Sequence, residues 1–200
     1  GYGARSFEEL VAVLKMHHIE FLIDVRTAPY SRYRPEFSKD TLETALKPHG
    51  LRYVFMGDTL GGRPDDPDCY VDGKVDYARI QAKAFYQEGI ARLHTAHDQR
   101  RRVALLCSEG KPEECHRAKL IGATLAAQGI PVRHIDEHDL LCTQDDIMQR
   151  LDGPQMTLFA EPTRASRKRY PGGKGAGKGP AGDAPGSPGE AGQGQPGHDQ

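Results

Sequence analysis

Three short apolar runs constrain this chain more than any other feature: Phe21-Leu22-Ile23-Asp24-Val25-Arg26, Leu51 to Met56, and Val103-Ala104-Leu105-Leu106-Cys107. Each has the length of a strand, and the first turns polar only at its end, the pattern of a buried strand whose tip emerges. Helical patterns separate them. Ser6 and Glu9 have capping-box spacing, and Phe7, Leu10, Val11 and Leu14 fall on one helical stripe that runs to about His17. Ser38 is placed to cap a second helix bearing Leu42, Ala45 and Leu46, which Gly50 ends. Residues 76–99 read as helix in two pieces broken near Gly89, and Glu114 to Gln128 as a helix closed by Gly129. Val132 to Ile135 reads as a short strand and Thr143 to Leu151 as a last helix. Strands alternating with helices predict an α/β fold. The expected form is a three-layer Rossmann-like sandwich with a mainly parallel sheet and helices on both faces.

The last 30 residues take no part in that pattern. From Pro171 to Gln200 there are 11 Gly and 5 Pro and no Leu, Ile, Val or aromatic residue. Such a segment has nothing to bury against the entropy cost of ordering it, so 171–200 is expected to be a disordered tail. Residues 161–170, with Arg164, Arg167, Lys168 and Arg169, read as a basic linker, and 1–160 as a single α/β domain. Without the tail, 170 residues remain with 25 basic and 25 acidic side chains. A neutral body argues against wholesale coating of nucleic acid while leaving room for a local basic site. Four cysteines are too few for a secreted disulfide scaffold. No apolar run reaches the roughly 18 residues that span a bilayer. A cytoplasmic setting without membrane contact is expected.

In open α/β sheets, ligands sit beyond the carboxyl ends of the strands, and the chemically unusual residues gather there. The first group follows Asp24 and Arg26 into a proline-stiffened loop with Ser31, Arg32, two tyrosines and Arg34. Guanidinium forks suit phosphate or carboxylate, and tyrosines stack on bases. Asp24 and Arg26 can equally form a structural pair. The second group is Cys107, Glu109, Cys115, His116 and Arg117, between a buried strand and a helix. Free N–H groups and the helix dipole near Cys115 would attract anions and lower a thiol pKa. His116 can shuttle protons, and Glu109 can act as acid or base if burial raises its pKa. Against this, Cys107 can be mere packing, and Cys115 and His116, being neighbours, need not act together. Cys107, Cys115 and His116 lack the close spacing of zinc motifs, so no metal and no cofactor are expected. Gly61 and Gly62 can admit a ligand or simply turn the chain, and His134 lies at a further strand end.

These motifs, in order, resemble the bacterial family of uncharacterised proteins known as domain of unknown function 488. The resemblance runs from Gly1-Tyr2-Gly3 through Asp24-Val25-Arg26, Leu60-Gly61-Gly62, Cys107, Glu109, Cys115-His116-Arg117 and His134-Ile135 to about Phe159. Family members normally have a short strand before the Gly-Tyr-Gly segment, so the N-terminal strand is expected to be truncated here. Membership implies no settled reaction. A strand ending in Asp-Val-Arg and another ending in cysteine before a helix are more distantly similar to the rhodanese/tyrosine-phosphatase superfamily. That likeness would make Cys107 a nucleophile and Arg117 an anion clamp. However, nine residues separate the two here, whereas the phosphatase signature has five.

The function expected from the sequence is that of an enzyme, a hydrolase or transferase, acting on a phosphate-bearing substrate such as a nucleotide or nucleic acid. Arg26, Arg32 and Arg117 would hold the anion, and either a Cys107 or Cys115 thiolate or a Glu109–His116 pair would react. The alternatives are a non-catalytic nucleotide or nucleic-acid binding module and a thiol-transfer or redox protein using Cys107 and Cys115. The sequence names no protein partner.

Overall fold

The structure, a computed structural model, describes residues 1–152 and 165–170. The expected disordered tail, 171–200, lies outside the described residues. The chain begins with α1 (Phe7–Met16), held by the expected capping box: Ser6 Oγ accepts from Glu9 N at 3.2 Å and Glu9 Oε2 accepts from Ser6 N at 2.7 Å. Then follow β1 (Phe21–Asp24), α2 (Lys39–Leu46), β2 (Arg52–Phe55) and the short α3 (Gly57–Leu60). A hairpin of β3 (Tyr70–Val71) and β4 (Lys74–Asp76) leads to α4 (Tyr77–Gln81), α5 (Ala84–Asp98) and β5 (Val103–Leu106). A π-helical turn, Arg117–Gly122, runs into α6 (Ala123–Ala127), then β6 (Arg133–Ile135), β7 (Leu141–Thr143), α7 (Gln144–Asp152) and β8 (Ala165–Arg169).

The fold is mixed α/β. Among the described residues its main sheet has three strands, all parallel, in the order β2-β1-β5. Because side chains alternate along a strand, the sheet feeds two separate cores. Ile23 and Val25 join Tyr86, Ile90 and Leu93 of α5 with Leu120, Ile121 and Leu125, whereas Leu22 and Leu106 join Leu10, Val11 and Leu14 of α1 with Leu42 and Leu46 of α2. Pairing places Asp24 abreast of Phe55 and of Leu106. Arg26, Gly57 and Cys107, each just past its strand, therefore emerge on one rim.

Several elements differ from expectation. The strand at Arg133–Ile135 does not join the parallel sheet; it pairs antiparallel with β7, a hairpin the sequence pattern did not signal. The break in the long helical stretch falls at Ala82 and Lys83, and Gly89 lies inside α5. Gly89 is where α3 packs, since a Cβ there would lie 2.7 Å from Leu60 Cδ2. The helix expected from Glu114 starts only at Arg117, because Pro112–Glu114 form a 3₁₀ turn and Cys115 is extended. Part of the stretch read as basic linker forms β8, which pairs antiparallel with β4. Asp72 and Gly73, both with positive φ, turn the β3–β4 hairpin, a two-residue Asp-Gly signal of the kind that hairpins favour.

Candidate active site: two thiols, an imidazole and a buried arginine

The end of β1 is closed by a buried ion pair. The Asp24 carboxylate, 0% exposed, accepts Arg26 Nε at 2.8 Å, Arg26 Nη2 at 2.5 Å and the Arg26 backbone N at 3.0 Å. The Tyr53 hydroxyl donates to Asp24 at 2.6 Å, and Arg26 Nη2 also donates to Phe37 O at 2.8 Å. Burial, and then this hydrogen bond, push the Tyr53 phenol well up, so it stays a donor. Asp24 and Arg26 thus satisfy each other, although Arg26 still lines the cleft described below.

Between Asp24 and Arg26, the carbonyl of Val25 accepts from His116 Nε2 at 3.1 Å. A carbonyl can only accept, so in the neutral ring Nε2 carries the proton and Nδ1 is left with a bare lone pair. Nδ1 stands 3.8 Å from Cys107 Sγ and 3.8 Å from Cys115 Sγ. Gly62 makes room for the ring: a Cβ there would lie 2.8 Å from His116 Cγ and 2.9 Å from Nδ1. Neighbours on a regular helix diverge, but Cys115 lies outside the helix, which lets its thiol and the His116 ring converge.

Arg117 completes the group from below. It is 8% exposed, and its Nε donates to Cys115 Sγ at 3.2 Å, its backbone N to the same sulfur at 3.5 Å, and its Nη2 to Glu109 O at 2.9 Å. Cys115 is 1% exposed. Burial opposes ionisation of Cys115, but the hydrogen bond from Cys107 and the charge of Arg117 outweigh it and hold the Cys115 thiol well below its ordinary range. The hydrogen bond to Cys115, and then burial, push Cys107 well up. Of the two thiols, Cys115 is thus the one biased towards thiolate and Cys107 the one biased towards S–H. Two of the amides near Cys115 are engaged within the site: Cys115 N donates to Pro112 O and Arg117 N to Cys115 Sγ.

A cleft of about 360 Å³ opens over Cys107, Cys115 and His116. Arg63, Arg167 and Lys168 line it with Tyr30 and Tyr170, and the buried Tyr77 lines its inner wall. Arg63 lies 5.3 Å over the Tyr170 ring, Arg167 pairs with Glu114 at 2.8 Å, and Lys168 lies 3.7 Å from the Glu109 carboxylate. Glu109 lines the cleft, but its carboxylate faces Lys168, while both His116 nitrogens face other groups. Ser31 is spent in a turn, accepting from Arg34 N at 3.0 Å, and Arg32 is exposed. Neither lines the cleft, nor does Gly61, which packs on Thr27. His134 Nε2 donates to Gln144 Oε1 at 2.6 Å, away from the thiols. Arg63 and Tyr170 are not expected at the site from the sequence, and Arg167 and Lys168 are expected there only as part of a basic run able to touch nucleic acid. Arg167, Lys168 and Tyr170 come from the basic linker, and only the pairing of β8 with β4 brings them over the rim.

A second, larger cavity of about 560 Å³ runs along β5 towards Val132 and His134. It touches Arg117, and its walls combine apolar residues such as Leu10, Leu14, Leu106 and Leu125 with Arg5, Arg101, Arg102, Arg133, His17 and His97, with no thiol or carboxylate among the described residues that line it. Although sequence spacing argues against a metal, the donor atoms of Cys107, Cys115 and His116 all lie within 4.8 Å of one another. Among the described residues no helix is long and apolar enough to cross a membrane.

Compared with known proteins, residues 6–124 match the family model described as "Domain of unknown function DUF488". No curated protein and no solved structure matches the chain.

Proposed function

The chain belongs to the family described as domain of unknown function DUF488, and since membership assigns no reaction, we infer from the site that it is an enzyme acting on a phosphate-bearing substrate, a nucleotide or nucleic acid, through the Cys115 thiolate. The observation that carries this reading is the Arg117 Nε donor 3.2 Å from Cys115 Sγ, beneath a cleft with cations among its lining. A thiolate is a strong nucleophile, and a buried guanidinium keeps it ionised near neutral pH.

In this reading the substrate phosphate meets Arg63, Arg167 and Lys168, and a base or ring stacks on Tyr30 or Tyr170. Cys115 Sγ attacks phosphorus; the S–P bond forms as the bond to the leaving oxygen breaks, and that oxygen takes the Cys107 proton. Water then attacks the phosphoryl-cysteine. His116 Nδ1 accepts its proton and returns it to Cys107 as Cys115 leaves as thiolate. Arg26 and Arg117, expected to hold the anion, instead support the site from beneath it. Turnover measured over a panel of nucleotides and nucleic acids tests the reading. C115S is expected to abolish it, C107S to slow it strongly, and E109Q to leave most of it. Full turnover in C115S overturns the proposal.

We further infer a three-layer, Rossmann-like arrangement, supported by the two cores fed by alternate residues of β1. Kinship with the rhodanese/phosphatase superfamily has the support of a strand-end cysteine with a buried arginine nearby, but here the arginine serves Cys115 rather than Cys107. A thiol-redox function is favoured by the nearness of the two sulfurs, which lie within 4.8 Å of each other. It predicts that oxidised glutathione closes a Cys107–Cys115 disulfide reversibly, with two thiols lost per chain. A non-catalytic binding module would bind nucleotides with salt dependence and leave them unchanged.

A further inference from the structure

The three atoms that converge under the cleft are Cys107 Sγ, Cys115 Sγ and His116 Nδ1, and they have the dimensions of a coordination face. Zinc–sulfur bonds of about 2.3 Å and zinc–nitrogen bonds of about 2.0 Å, at tetrahedral angles, put sulfur and nitrogen about 3.5 Å apart. Both sulfurs stand 3.8 Å from His116 Nδ1, and all three donors fit within 4.8 Å. The ring is already in the tautomer a ligand needs, since the Nε2 proton is held by Val25 O at 3.1 Å. A backbone carbonyl taking the second ring proton is the usual outer partner of a metal-bound histidine. Arg117 supplies N–H donors to Cys115 Sγ, which stabilise thiolate charge whether or not a cation shares it. Cys107, Cys115 and His116 all line the cleft, which offers the space for a fourth ligand.

We propose that Cys107, Cys115 and His116 form a binding site for a thiophilic divalent cation of the zinc type, with an open coordination position towards the cleft. The inference goes beyond the thiolate reading and is separable from it. Two sulfurs bound to an ion are not free nucleophiles, so the loaded and metal-free proteins have different chemistry at one place. Binding requires loss of the Cys107 proton to solvent, and the ion then carries both sulfurs and the Nδ1 lone pair.

The test uses the full chain, reduced and stripped of metal by chelation. Cobalt(II) is added as a spectroscopic probe, followed by zinc(II) in competition with a colorimetric chelator. One equivalent of cobalt is expected to give sulfur-to-metal charge-transfer absorption and the intense visible bands of a tetrahedral site, both removed by zinc. C107S, C115S and H116N are each expected to weaken zinc binding about 100-fold or more, since even outer partners are worth about 10–100-fold. C69S and C142S should bind as the parent does. Zinc should also protect Cys107 and Cys115 of the parent protein from iodoacetamide, read by peptide mass, a measurement that stands even if a variant fails to fold. Absence of the cobalt spectrum, survival of binding in two of the three ligand variants, or full labelling in the presence of zinc overturns the proposal. Turnover that needs Cys115 without any metal binding would leave the thiolate enzyme and remove the ion. Metal binding without turnover on any substrate would do the reverse.

Discussion

At the scale of single residues, the site depends on what each polar group is given as a partner. Arg117 is the clearest case, because one guanidinium donates to a thiolate and to the Glu109 carbonyl while 8% exposed. A lysine keeps the charge but cannot reproduce the fork. R117K is therefore expected to slow alkylation of Cys115 near neutral pH by about tenfold or more, measured against Cys107 in the same digest. Asp24 makes the complementary point. Removing its charge strands Arg26 in the interior, so D24N is expected to cost about 3–5 kcal/mol of stability, seen as a lowered urea midpoint. The sequence carried both possibilities for Asp24 and Arg26, ligand contact or internal pair. Spacing could not choose between them, because the choice depends on Tyr53 and Phe37, which arrive from elsewhere in the chain.

At the scale of elements, local chemistry and tertiary demands can be separated. The capping box at α1 is local, and S6A is expected to destabilise by about 1 kcal/mol, a small downward shift of the melting temperature with the site intact. Gly62 is tertiary: it exists for the His116 ring packed on it. G62A is expected to push the ring off Val25 O, reducing turnover strongly while moving stability little. Equal loss in both would make Gly62 a packing residue only. The helix start shows how such information is missed. Periodicity extended the helix back to Glu114, yet Pro112 tightens the chain into a 3₁₀ turn and leaves Cys115 extended. That local irregularity is what points its sulfur at His116. Similarly, Gly89 read as a break because glycine weakens helices, whereas close packing of Leu60 retains it inside α5.

At the scale of the whole molecule, buried polar groups link stability to pH. Burial lowers the His134 imidazole below its ordinary value of 6.5, despite the hydrogen bond to Gln144. The unfolded chain thus binds this proton more readily than the folded one. The contribution to stability is complete above pH 6.5 and is lost as pH falls through the lower, folded value. The urea midpoint of the parent protein is expected to drop between about pH 7.5 and about pH 5.5 by more than that of H134Q. Equal drops would assign the acid sensitivity to other groups.

By itself the sequence determined the elements of the main sheet, the capped first helix and the fact that reactive residues fall at strand ends. All of these follow from local periodicity and from the chemistry of a buried strand that must emerge somewhere. Only the tertiary structure decided which of those residues meet. Strand register sets Arg26 and Cys107 on one rim, the 3₁₀ turn aims Cys115, and the return of β8 carries Arg167 and Lys168 across the cleft. Convergence is a long-range property: groups 91 residues apart, as the His116 ring and the Val25 carbonyl are, become neighbours only once the cores that position them have formed.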